Sequence, residues 1–334
     1  MRLLTASLIA LLASGCGAGG GGAVSSSPAS SVSASVASPT ASEPDVIQTR
    51  DVVYLEREGD EYLLDVYAPP GPGPWPVVVA FHGVSTALKD DSYVTVVANA
   101  AARAGMVVFV PSWVHGFSAS VFPDDLAGGF AASACALAFA QQEASGYGGD
   151  PARIVTYGFS AGAPEAAWLA LGHGTDVVDG CVAPQPAGLP VGAVLGDSEY
   201  FLHTQLFQKG FDTDPDGMLA HAAALVDPAS WPDNVAARFH IWSAAAGTQS
   251  RTFDDPWDED GWLAQRDPQG TIRTDLEVLG ELDDGVISFI DEGKLLAYRL
   301  EAAGLEVTVG LFPGGHVVFD KVPELVAYLL DAAG

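Results

Sequence analysis

Basic residues are scarce in this chain. Its 334 residues hold 14 Lys and Arg against 42 Asp and Glu, a formal net charge of −28. A field of that sign repels phosphate backbones and anionic lipid headgroups, which argues against a nucleic-acid partner. Cysteine is scarce too, at three residues. No His/Cys cluster has metal-ligand spacing, and neither a P-loop nor a dinucleotide fingerprint follows a first strand, so no cofactor is implied. No internal repeat is evident. What the chain has in quantity is apolar residues, 49% against 17% charged, enough for a large core and too many for a disordered polymer.

The apolar run Leu3 to Ala13, preceded by Arg2, is too short to span a bilayer, which takes about 20 residues. It reads as the core of a signal peptide over residues 1–15. The run closes in Leu12-Ala13-Ser14-Gly15-Cys16, which resembles the bacterial lipoprotein box. That resemblance implies lipidation of Cys16 and attachment to the outer face of the cell membrane; ordinary secretion after cleavage at small residues is the other reading. Residues 16–44 are almost all Gly, Ser, Ala, Val, Pro and Thr without an apolar face. Such a segment cannot offset its ordering entropy and reads as a flexible spacer. The lipid is the only membrane contact expected. Cys135 and Cys181 remain: an exported compartment permits a bridge, and two separately buried thiols fit the pattern as well.

From residue 45 to 334 strands and helices alternate, which predicts one α/β domain with a mostly parallel central sheet and helices on both faces. Residues 51–67 read as a hairpin turning at Gly59-Asp60, and Pro76 to Phe81 as a strand buried on both faces. Helices are expected at 92–104, 124–145, 161–171 and 289–303, with a closing helix from 322. Further strands are expected at Met106–Val110, Ile154–Tyr157, Val177–Val182, Phe239–Trp242 and Leu305–Phe312. The Pro-, Gly- and Asp-rich residues 184–235 read as an irregular insertion over the sheet's edge.

Gly158-Phe159-Ser160-Ala161-Gly162 falls where a strand ends and a helix begins. A tight turn there lifts a serine hydroxyl clear of the backbone, and the flanking glycines keep neighbours from blocking it. Serine needs a base. Among seven histidines His316 stands out, because Pro313-Gly314-Gly315 carries it off the last strand to a place above the sheet. His115, His173, His203, His221 and His240 read as loop or core residues.

Together with these motifs, Leu64 to Pro69, Phe81-His82-Gly83, Phe122 to Leu126, Tyr147 to Ile154 and Pro313 to His316 run in one order across residues 50–320. The chain thereby resembles α/β-hydrolases of the carboxylesterase and acetyl-esterase type, including feruloyl-esterase-like enzymes. The resemblance implies Ser160 as nucleophile, His316 as general base, and an oxyanion hole from the backbone of Ala161 and of the loop at Gly83 or Val84. His82 is expected to shape that loop. It also implies an acid before His316, and Gly280-Glu281-Leu282-Asp283 fits the family's G-x-x-D. Asp284, Asp254 and Asp255 stay open as alternatives, because the loop after residues 239–242 reads Ser243 to Gly247 without a carboxylate.

The implied activity is hydrolysis of a small-molecule or glycan ester through an acyl-enzyme. A serine peptidase on the same fold ranks lower, since no propeller or gating domain precedes the hydrolase region. A catalytically silent, surface-anchored binding protein stays open for want of an evident acid. Asp212 to Gly217 mimics the start of a calcium loop, but Ala223 stands where its glutamate belongs, so an acidic turn is the expectation. Trp113, Trp257 and Trp262 are candidates for stacking on a sugar or aryl group.

Overall fold

The computed structural model describes residues 45–114, 126–174, 179–185, 187–198, 200, 224–225, 227–235, 237–245, 250–252, 271–280 and 286–334. The signal peptide, Cys16, the spacer, the Asp212–Gly217 turn, His115, His203, His221, Trp257 and Trp262 lie outside those residues, as do Asp254, Asp255, Asp283 and Asp284.

Strands β1 (Ile47–Arg57) and β2 (Asp60–Ala68) form the expected hairpin, pairing Arg57 with Asp60 across the two residues Glu58 and Gly59. Both turn residues have positive φ, 56° and 92°, the backbone that a two-residue hairpin loop requires. The chain then runs through β3 (Trp75–Phe81), α1 (Ser92–Arg103), β4 (Val107–Pro111), α2 (Leu126–Glu143), β5 (Gly149–Phe159) and α3 (Gly162–Ala170). It continues with β6 (Gly192–Gly196), β7 (Arg238–Ala244), β8 (Ser250–Thr252), α4 (Thr271–Leu279), β9 (Val286–Ser288), α5 (Phe289–Ala302), β10 (Val307–Phe312) and α6 (Val322–Ala332). Eight strands form one sheet in the order β1-β2-β4-β3-β5-β6-β7-β10, and β8 pairs with β9 apart from it. From β4 to β10 neighbours are parallel, whereas β2 meets both β1 and β4 antiparallel.

The central strands show why their sequence reads as one apolar run. On β3, Val77, Val79 and Phe81 enter a core shared with α2, α3 and α5, while Val78 and Ala80 enter a second core shared with α1 and α6. Alternate side chains thus feed opposite faces, and neither face is wet.

Two expectations fail. Of the range Val177–Val182, the described residues 179–182 form no strand of the sheet, and Cys181 makes an isolated bridge to Leu55; residues 177 and 178 lie outside the described residues. The sheet position falls instead to β6, inside the segment read as an insertion, where it pairs with β5 and β7. Its glycines look like turn residues but are packing residues. A Cβ on Gly192 would come within 2.5 Å of the Ala332 carbonyl oxygen, and one on Gly196 within 2.6 Å of the Trp242 ring. The question left open for the two cysteines is also answered, since Cys135 on α2 and Cys181 form a disulfide with Cα atoms 5.5 Å apart. With a sequence separation of 46, the chain-entropy contribution of such a bridge is about 4 kcal/mol.

Candidate active site

Ser160 occupies the turn between β5 and α3 with φ of 53°, a left-handed conformation that costs a non-glycine residue roughly 1–2 kcal/mol. Its neighbours explain how the turn closes. A Cβ on Gly158 would overlap the Gly162 carbonyl, and one on Gly162 would overlap the carbonyl groups of Phe81 and His82. The two glycines of the motif are therefore demanded by backbone contact. The Ser160 N–H donates to the Gly196 carbonyl at 2.9 Å, fastening the turn to the end of β6.

Asp197 follows immediately. Its carboxylate is fully buried, and Oδ2 accepts from His316 Nδ1 at 2.6 Å. The other oxygen accepts the Ala244 N–H at 2.8 Å, and the Asp197 N–H donates to the Trp242 carbonyl, also at 2.8 Å. Acid and backbone are thus both fixed to β7. Because a carboxylate only accepts, the proton on His316 sits at Nδ1, which leaves Nε2 as the basic nitrogen. The His316 ring contacts two aromatics: Phe159, centroids 4.7 Å apart, and Phe289 at the start of α5, 5.7 Å away. Phe159 directly precedes Ser160, so Ser160 and His316 lie in one region of the structure.

The carboxylate on His316 is a residue that the sequence reading did not single out. Asp283, its first choice, and Asp284, Asp254 and Asp255 all lie outside the described residues. A signal was present: Gly192-Ala193-Val194-Leu195-Gly196-Asp197 is a short apolar run ending in an acid, but its glycines disguised the strand.

The loop after β3 lies against the serine. A Cβ on Gly83 would stand 2.9 Å from the Ser160 Cβ, so only glycine lets the loop pass so close. Val84 beside it is exposed, and Ala161 is half-buried at the cap of α3, where the first N–H groups have no partner within the helix. His82 is buried and shapes this loop as expected, its Nδ1–H donating to the Gly83 carbonyl at 2.7 Å. Burial lowers its pKa to about 4, so the ring is neutral at physiological pH. Trp113 is also buried and donates from Nε1 to the His82 carbonyl at 3.0 Å; it supports the loop and presents no surface for stacking on a ligand. Farther along, the buried Lys89 ammonium binds Asp51 at 2.8 Å and Asp65 at 2.9 Å, pinning the loop to the β1–β2 hairpin.

The remaining described histidines are structural. His240 pairs with Asp331 at 2.8 Å and stacks on Tyr328, and His173 stacks on Trp168.

Residues 64–194 match the family model BD-FAE, an esterase family of α/β-hydrolases. No curated protein matches the chain in sequence. Among solved structures, brefeldin A esterase, a bacterial homologue of human hormone-sensitive lipase, superposes with a TM-score of 0.52 at 17% identity, covering 90% of this chain and 81% of its own. A thermophilic esterase, Est2 of the planctomycete Thermogutta terrifontis, gives 0.54 at 17%, covering 88% and 93%. A truncated carbohydrate esterase from gut microbiota gives 0.55 at 13%, covering 88% and 99%. At these identities the likeness speaks to architecture. The strand order, the strained serine after β5, the histidine after the last strand and the neighbours' architecture agree: this chain has the α/β-hydrolase fold, and residues 64–194 of it match the BD-FAE family model.

Proposed function

We propose that the protein is a serine esterase that hydrolyses carboxylic esters through a triad of Ser160, His316 and Asp197. The observation that carries this reading is the strained Ser160 bonded to Gly196, next to the Asp197 whose carboxylate holds His316.

In the first step Ser160 Oγ attacks the acyl carbon while His316 Nε2 takes its proton. Asp197 stabilises the imidazolium so formed and keeps the ring in its working tautomer. The carbonyl oxygen becomes an oxyanion facing the N–H groups of Ala161 and of the Gly83–Val84 loop, each such donor contributing roughly 3 kcal/mol to the transition state. Collapse expels the alcohol, which takes the proton from His316. Water then repeats the sequence on the acyl-enzyme and releases the acid.

A neutral small-molecule or glycan ester suits a molecule with a charge of −28. The named neighbours support that range, being esterases of small molecules and of carbohydrates. The silent-scaffold reading loses its motive, because it rested on the want of an acid for His316. We also propose that lipidation of Cys16 and the spacer over residues 16–44 hold the domain at the outer face of the membrane.

Hydrolysis of short-chain p-nitrophenyl esters by the full chain tests the catalytic reading. Turnover and labelling by a fluorophosphonate are expected in the wild type, and both are expected to vanish in Ser160→Ala. Undiminished labelling of that variant would remove Ser160 from the role.

A further inference from the structure

Ser198 has no part in the triad, yet its hydroxyl is buried against the nucleophile's own backbone. Its Oγ lies 2.6 Å from the Ser160 carbonyl oxygen, which can only accept, so the hydroxyl donates. The Ala163 N–H donates to the same oxygen at 2.9 Å. That carbonyl and the Ala161 N–H are the two ends of one planar peptide unit. A proton offered to the oxygen draws electron density from the nitrogen and makes its N–H a stronger donor, as in any hydrogen-bonded chain of amides.

Resting on the serine-esterase reading, we propose that Ser198 is a positioning residue of the oxyanion hole: its O–H orients and polarises the Ser160–Ala161 peptide, so that the Ala161 N–H binds the oxyanion more strongly than the ground-state carbonyl. Two further observations point the same way. The end of β6 grips Ser160 on both sides, with the Gly196 carbonyl taking the Ser160 N–H and Ser198 bonding the Ser160 carbonyl, while Asp197 between them reaches His316. The other donor loop is built alike, since His82 Nδ1–H bonds the Gly83 carbonyl, the far end of the peptide unit that bears the Val84 N–H. Each of the two donor peptides is thus backed by a side-chain donor on its carbonyl.

The test uses the full chain, p-nitrophenyl acetate, and an aliphatic trifluoromethyl ketone. The ketone's carbonyl carbon bonds to Ser160 Oγ, its oxygen becomes an oxyanion, and the hydroxyl proton passes to His316. Ser198→Ala is expected to lower kcat about tenfold with KM within about twofold, and to weaken the ketone by about the same factor as kcat. The pH profile of kcat/KM is expected to stay in place, because the His316–Asp197 pair is untouched. Ser198→Thr, which keeps the hydroxyl, is expected to recover most of the rate.

A loss carried by KM, a loss of kcat without a matching loss of ketone affinity, or equal loss in the alanine and threonine variants would overturn the proposal, leaving Ser198 a residue that closes a turn. So would an Ala variant as active as the wild type. Failure of the underlying reading looks different: the wild type itself would neither turn over the ester nor bind the ketone.

Discussion

At the scale of single residues, the contrast that decides most is between Asp197 and Asp283. Asp197 is held by the Ala244 N–H on one oxygen, which fixes what an amide would do in its place. In Asp197→Asn the amide oxygen keeps the Ala244 bond, and the NH2 group turns towards His316. The imidazole must then accept at Nδ1 and carry its proton on Nε2, where it cannot act as base. The expected outcome is a fall in kcat on the order of 10^3 to 10^4 with KM little changed, while Asp283→Asn keeps near wild-type turnover. Steady-state kinetics of the two variants on one p-nitrophenyl ester separates them, and the reverse pattern would return the role to Asp283. Ser160 and His316 are marked in the sequence by local motifs: backbone contact demands Gly158 and Gly162, and Gly314 has a φ of 131°. Asp197 is not, because what marks an acid is the strand before it.

At the scale of elements, the strands that read correctly were those whose neighbours in sequence behave as expected. β3 is a continuous apolar run, and α1 opens with Asp91, whose side chain accepts the N–H groups of Tyr93 and Val94. β6 failed because its ends are glycines packed against Ala332 and Trp242, contacts that exist only once the helix and strand from elsewhere in the chain have arrived. Tertiary packing imposed those residues, and local pattern hides the reason.

The α3 helix carries a different liability. Glu165 is buried between α3 and α2, where burial pushes its carboxyl well above the ordinary value and the Ser133 hydroxyl only partly compensates. A raised carboxyl pKa means that the fold favours the protonated acid. The stability it supplies is complete below about pH 4.5, the unfolded value, and is lost as pH rises from there towards the folded value. Glu165→Gln removes that dependence. Its melting midpoint is expected to match the wild type near pH 4 and to exceed it near pH 8 by on the order of 2–4 °C for each kcal/mol relieved. Thermal melts at the two pH values check this, and a glutamine variant less stable at both would show the carboxyl to be bonded as an anion.

At the scale of the whole molecule, the Cys135–Cys181 bridge and the proposed N-terminal tether bear on one question, the compartment of the domain. A structural disulfide persists in an oxidising compartment, the kind of compartment the proposed tether would put the domain in. One acyl chain alone gives marginal binding, so a stable anchor at Cys16 would need a second chain or membrane signal. Protein made in a bacterial host with lipoprotein processing is expected to partition into the detergent phase of Triton X-114. Cys16→Ala is expected in the aqueous phase, and finding both variants there would sink the tether.

The sheet adds a last point. Ser160 leaves it from β5, between β3 and β6, whereas His316 hangs from β10, which pairs only with β7 among the described strands and leaves Val309 and Leu311 50% and 58% exposed. Opening free energies vary across a fold, and a border strand with one ladder opens before the interior. Under the proposed triad, heat or mild denaturant is therefore expected to withdraw His316 while Ser160 still stands in place. Loss of activity is then expected at a lower denaturant concentration than loss of the far-UV signal.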